Sequence, residues 1–166
     1  MSGNLQKEIK QQKPFGSLEH EVVLNVMRTA GSFRKGVSEV LKPFDLTAPQ
    51  YNILRILRGA PEDGLPCNEV GERLVSRDPD VTRLLDRLEK RGLVERGRSV
   101  SDRRVVNVRI TRAGHELTDQ LDTPMNRVHE LQLGHMKKKH MRALIELLEK
   151  ARRSDDKRAE DEESDD

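Results

Sequence analysis

Apolar residues in this chain recur mostly at helical spacing. Leu18, Val22, Val23, Val26, Met27, Ala30, Phe33, Val37, Val40 and Leu41 follow Ser17, a good N-cap residue, and predict a long first helix. Pro43 ends it, because proline lacks an N–H and clashes with the preceding turn. The apolar stripe is wider than a thin three-helix core requires, which points to an intermolecular partner. Residues 1–16 are polar and are expected to form a flexible extension.

Leu46-Thr47-Ala48-Pro49-Gln50-Tyr51 reads as a helix start. Thr47 and Gln50 have the spacing of a capping box, and Leu46 and Tyr51 that of a hydrophobic staple. The second helix is expected to run to about Arg58, burying Ile53, Leu54 and Leu57. A loop over 59–64 leads to a short third helix near Pro66 or Cys67, carrying Val70 and Leu74. Gly71 lies between those two and is small enough for another helix to approach closely. A fourth helix is expected from Asp78-Pro79 to Arg91, with Asp78 as cap and Pro79 at the first helical position. Val81, Leu84, Leu85 and Leu88 form its apolar face, and Gly92 suits its C-terminal stop.

Residues 93–98 and 105–110 then read as two strands of a hairpin with a polar, basic tip. Thr111 caps a fifth helix from Arg112 to about Leu121, or on beyond Pro124, with a break or kink near Asp122–Pro124. A last helix covers about Leu133 to Arg152. The fold class is mainly α with a small β-hairpin. The expected divisions are 1–16, 17–45, 46–112, 113–152 and an acidic, disordered tail over 153–166.

Charge changes this picture. Residues 154–166 hold eight acids and two bases, net −6, while the other 153 hold 29 bases and 21 acids, net +8. A basic body suggests a polyanionic partner; the plainer reading of the tail is that it aids solubility. The segment 1–16 has no signal-peptide core and no apolar run reaches the roughly 20 residues of a membrane span, so the cytoplasm is the expected location. A single cysteine excludes an internal disulfide.

Two short helices followed by a basic hairpin is the plan of a winged helix-turn-helix, with the second helix in the major groove. The polar face of Pro79–Arg91 offers Asp80, Thr82, Arg83, Arg87, Lys90 and Arg91. An arginine fork matches guanine O6 and N7, or a phosphate. Thr82 and Arg83, near the helix start, are the candidates for base edges; Arg77, Arg87 and Arg91 suit phosphates. At the hairpin, Arg98, Ser101, Asp102, Arg103 and Arg104 are candidates, since a narrow minor groove attracts an arginine that Asp102 would orient. The plainer alternative is that the helix charges are solvated positions paired with Asp80, Asp86 and Glu89, and that the hairpin is an ordinary charged one with a solubilising tip.

The stretch Asp86-Arg87-Leu88-Glu89-Lys90-Arg91-Gly92-Leu93-Val94-Glu95-Arg96, then Asp102-Arg103-Arg104, then Ile110-Thr111-Arg112-Ala113-Gly114, resembles the MarR family of bacterial and archaeal transcriptional regulators. The family pattern has Leu where this chain has Ile110. Leu46-Thr47-x-x-Gln50-Tyr51 matches too, and the resemblance covers about residues 17–152. It implies a homodimer held by the first, fifth and sixth helices, with Leu18, Val22, Val26, Leu121, Leu144, Leu147 and Leu148 as candidate interface residues. It implies Arg103 or Arg104 at the minor groove and repression from a palindromic operator. It also implies release by a small aromatic effector near the junction of the two regions, where Tyr51 and His20 are candidates.

Other classes fit less well. No nucleophile elbow, phosphate loop, dinucleotide fingerprint or H-E-x-x-H occurs, and His20, His115, His129, His135 and His140 have no i, i+4 spacing, so neither an enzyme, a cofactor nor a metal site is expected. Cys67, at a helix start, suggests a redox-sensing regulator; packing is the commoner role of a lone cysteine. A helical module binding protein or RNA is the remaining alternative, and the basic hairpin argues against it.

Overall fold

In the computed structural model, which describes residues 4–76, 80–99 and 104–163, with side chains as far as Arg153, the chain begins with a four-residue helix, α1 (Leu5–Glu8). Leu5 is buried, and Glu8 pairs with Arg28 at 3.2 Å. The expected flexible extension therefore contains one anchored turn, held by buried Leu5. Ser17 then caps α2 (Leu18–Leu41), accepting from the His20 N–H at 3.2 Å. A 3₁₀ turn over Lys42–Phe44 contains Pro43.

The capping box forms as the sequence indicates. The Thr47 hydroxyl accepts from the Gln50 N–H at 3.4 Å, and Gln50 Oε1 accepts from the Thr47 N–H at 3.0 Å, starting α3 (Ala48–Arg58). Two residues, Leu65–Pro66, make β1, which runs directly into α4 (Cys67–Glu72). Val81–Lys90 is α5, followed by β2 (Val94–Arg98) and β3 (Val106–Ile110). The sheet is antiparallel in the order β1-β3-β2, with Leu65 opposite Val108 and Val94 opposite Ile110. The helices α6 (Arg112–Leu133) and α7 (Lys138–Glu163) complete the chain.

The core collects Leu41, Ile53, Leu54, Val70, Leu85, Leu88, Val94, Val108 and Leu121, each at most 2% exposed. Burying side chains of this size contributes about 1.5–3 kcal/mol each. Gly71 behaves as its size suggests: a Cβ there would meet Val81 Cγ2 at 3.2 Å, so α4 lies against the start of α5. The chain divides into two compact units, Met1–Asn126 and Arg127–Asp166.

Three expectations about helix ends are corrected. α5 is capped by Asp80, whose carboxylate accepts from the Arg83 N–H at 3.2 Å, so its described start is Val81; Asp78 and Pro79 lie outside the described residues. α6 passes through Pro124 without the expected break. A proline removes one helical N–H, and Leu121 and Met125 on either side of it are buried. α7 starts at Lys138 and its backbone continues to Glu163, past Arg152, because no glycine or proline follows Gly134.

Arg58, the last residue of α3, ties that helix to α6. Its two terminal nitrogens donate to the two Asp122 carboxylate oxygens at 2.9 Å each, and one also reaches Asp119 at 3.2 Å. These bonds hold the Asp122 carboxyl below the usual carboxylate range, and the Asp122 contacts raise the Arg58 guanidinium. A carboxylate lowered in the folded state adds stability above its unfolded pKa, near 4, which is lost as pH falls through the folded value. Asp122→Asn should therefore melt earlier than the parent at pH 7. The gap should close on acidification below about pH 4, with a limit of about 1 kcal/mol because Asp122 is half exposed. Equal melting temperatures at pH 7 would remove Asp122 from the stabilising contacts.

Candidate nucleic-acid interface

The best-formed site is the outer face of α5 and the hairpin beside it. On α5, Leu85 and Leu88 are fully buried while Thr82, Arg83, Arg87 and Lys90 are exposed. The helix closes with a Schellman turn: the Gly92 N–H donates to Glu89 O at 2.8 Å and the Leu93 N–H to Leu88 O at 3.0 Å. Gly92 takes φ +66°, a left-handed conformation that glycine adopts at little cost. This turn fixes the angle at which α5 hands the chain to β2.

Arg96 on β2 holds the other side of α5. It donates to Asp86 at 2.7 Å and to Glu89, and its N–H reaches Glu89 Oε1 at 3.1 Å. Burial lowers the basicity of this guanidinium, but the Asp86 and Glu89 carboxylates outweigh that and raise it, with a smaller contribution from the half-buried Cys67 side chain. Spacing along the helix pairs Asp86 and Glu89 with arginines of α5 itself and leaves Arg96 without a role. The signal was present, since all three residues lie in the Asp86–Arg96 motif. As a result, Arg87 makes no ion pair among the described residues. Arg83 stays exposed, and its ion pair among the described residues is a 3.7 Å contact to Asp80.

Arg91 is differently placed. Its guanidinium donates to the Phe44 carbonyl at 2.9 Å and to the Asp45 carbonyl, bracing the turn before α3. Next to it, Lys42, Asp45, Thr47, Arg87, Lys90 and Arg91 line a recess of about 470 Å³ with an excess of positive charge. Asp80 serves as the cap described above. On the hairpin, Arg98 and Arg104 are exposed. Arg77, Ser101, Asp102 and Arg103 lie outside the described residues.

The remaining candidates separate. Tyr51 is buried in the core, which raises its phenol pKa, whereas His20 is exposed and packs edge-on against Phe15 at 5.8 Å. Leu18, Val22 and Val26 are exposed on α2 and Leu147 on α7; Leu144 and Leu148 are half-buried. Leu121 is fully buried within its own chain, so it packs the core rather than awaiting a partner. Periodicity identified it as apolar without saying what covers it. Among the described residues, no helix is long and apolar enough to cross a membrane.

Known proteins share this arrangement. A family model described as the MarR family matches residues 44–105, from before α3 through α4, α5 and β2. The HTH-type transcriptional regulator TtmR of Methylorubrum extorquens (strain PA1) is 35% identical over 106 residues. That match covers 64% of this chain and 53% of TtmR, so the chain spans about half the length of that relative. The crystal structure of a MarR transcription factor from Planctomyces limnophilus is 40% identical, covering 82% of this chain and 98% of that one, with a TM-score of 0.62. CouR from Rhodococcus jostii RHA1, solved bound to p-coumaroyl-CoA, shares the fold at 24% identity and a TM-score of 0.71, covering 81% of this chain and 93% of CouR. With a 40% identical relative matched almost end to end, and the family model lying over α3 to β2, this chain belongs to the MarR family of transcriptional regulators.

Proposed function

We propose that this regulator binds a palindromic DNA operator as a homodimer and represses from it in the cytoplasm. One observation carries the reading: α5 buries Leu85 and Leu88 while presenting Thr82, Arg83 and Arg87 outward, beside a hairpin that exposes Arg98 and Arg104. In the major groove, Thr82 and Arg83 sit nearest the helix start and meet base edges; Arg77 and Arg87 meet phosphates. Arg103 and Arg104 at the wing tip enter the minor groove. Arg91 contributes to DNA binding through its place in the basic recess. Residues 46–112 form the DNA-binding region; 17–45 and 113–152 supply the dimer.

The exposed Leu18, Val22, Val23, Val26 and Met27 on α2 support the dimer, because a second copy would remove this apolar surface from water. A small aromatic effector releases the DNA; the likeness of fold to CouR, a protein solved with p-coumaroyl-CoA, supports that part.

Selection of bound duplexes from a random pool, run on the parent, Arg83→Ala and Arg104→Ala, tests the reading. Arg83→Ala should relax the preference at one base pair per half-site, with a loss of about 1–3 kcal/mol. Arg104→Ala should weaken binding chiefly where the minor groove is narrow. Unchanged binding by both variants contradicts the assignment of reading helix and wing.

A further inference from the structure

Near its tip, the hairpin is held from outside by the Asp63 carboxylate. Asp63 lies in the loop between α3 and β1. Its Oδ2 accepts from the Ser99 hydroxyl at 2.6 Å and from the Asn107 side-chain amide at 3.0 Å, and its backbone carbonyl accepts from the same amide at 2.9 Å. Ser99 and Asn107 stand on the two arms of the hairpin, just below the tip, and each is 5% exposed. The arms are also joined there by the Ser99 N–H bond to Val105 O at 2.9 Å. Among the described residues, Asn107 Oδ1 is buried with no hydrogen-bond partner, and the amide nitrogen donates to Asp63.

The loop is shaped to deliver Asp63. Gly64, the next residue, has φ +78°, and a Cβ there would overlap the Val108 carbonyl oxygen and sit 2.6 Å from Arg109 Cγ. The loop can approach β3 this closely only because residue 64 has no side chain. A carboxylate that accepts from two buried donors on different arms orients both and ties the arms to one point.

We propose that Asp63 is a positioning residue for the wing: through Ser99 and Asn107 it sets how Arg104 meets DNA. The inference rests on the minor-groove reading of the wing given above. Arginine insertion depends on placement within a narrow groove, so a tip attached only by its hairpin would lose discrimination before it lost general affinity.

The test uses the full chain and measures affinity for a selected operator and for two altered versions. One replaces A·T by G·C at the wing positions; the other changes a base pair under α5. Asp63→Ala should bind the parent operator about tenfold more weakly, equivalent to roughly 1.4 kcal/mol. It should lose most of the A·T preference at the wing positions and keep its discrimination under α5. Asp63→Asn, which retains an acceptor oxygen, should restore most of that preference. Ser99→Ala, a milder change, should show an intermediate loss. Two outcomes overturn the proposal: an unchanged A·T preference in Asp63→Ala and Ser99→Ala, or an equal loss at both sets of positions. Should Asp63→Ala fail to fold, the Asp63→Asn and Ser99→Ala pair decides. Arg104→Ala is run beside them. If it also leaves the A·T preference intact, the minor-groove reading has failed; if it alone abolishes the preference, only the role of Asp63 has.

Discussion

Leu88→Ala should destabilise the protein by about 3–5 kcal/mol, the range for truncating a leucine at a site that cannot collapse. Leu88 is fully buried, and it lies on the one face of α5 that touches the core. Its carbonyl also accepts the Leu93 N–H that closes the Schellman turn, so the cavity opens beside the joint between α5 and β2. For a domain of this size each kcal/mol lowers the melting temperature by about 2–4 °C. A thermal melt followed by circular dichroism should therefore show a drop on the order of 10 °C. Arg87→Ala, one residue earlier on the outward face, should melt within about 0.5 kcal/mol of the parent. Similar melting of both variants would mean that the buried and outward faces of α5 are wrongly assigned.

Gly114→Ala should be the next most damaging change, although it puts the best helix former into a helix. Gly114 is buried in the first turn of α6. A Cβ there would overlap the Leu93 carbonyl oxygen and lie 2.6 Å from Ile110 Cγ1. The obstruction is partly backbone, and that backbone is committed: Leu93 O accepts the Thr111 N–H at 3.1 Å, and the Thr111 hydroxyl donates to Gly92 O at 2.7 Å. Relief requires α6 to move away from the end of the hairpin. Overpacking of this kind costs about 1–3 kcal/mol, and more where backbone must shift. The helix-propensity gain of about 1 kcal/mol does not offset it. Chemical denaturation should show a lower midpoint with an unchanged slope. A midpoint equal to or above that of the parent would show that α6 does not sit against Leu93 as described.

Local chemistry carried much of this fold in the sequence. Thr47 with Gln50, Thr111 before α6, and Gly92 after α5 act within four or five residues of themselves, and such signals do not depend on distant partners. What escaped depends on distant partners. β1 is two residues long and exists only because Leu65 finds Val108. Asp78 and Asp80 are both plausible caps by type, and only the three-dimensional turn selects Asp80. Arg96 belonged visibly to a motif, but its task of holding Asp86 and Glu89 emerges only when β2 folds beside α5. Leu121 and Leu18 look alike as periodic leucines, yet one is core and the other is exposed. In the site, the outward face of α5 was legible from spacing, whereas the support of the wing by Asp63 was not, since Asp63 lies 36 residues from Ser99 and 44 from Asn107.

The central claim is that two copies of α5 read a symmetric DNA site. Selection of duplexes by the unaltered protein from a random pool addresses it most directly. The expected result is an inverted repeat whose half-sites are centred about 10 bp, one helical turn, apart, with A·T pairs enriched where the wings meet the minor groove. Recovery of no preferred sequence, or of a single site without two-fold symmetry, would contradict it.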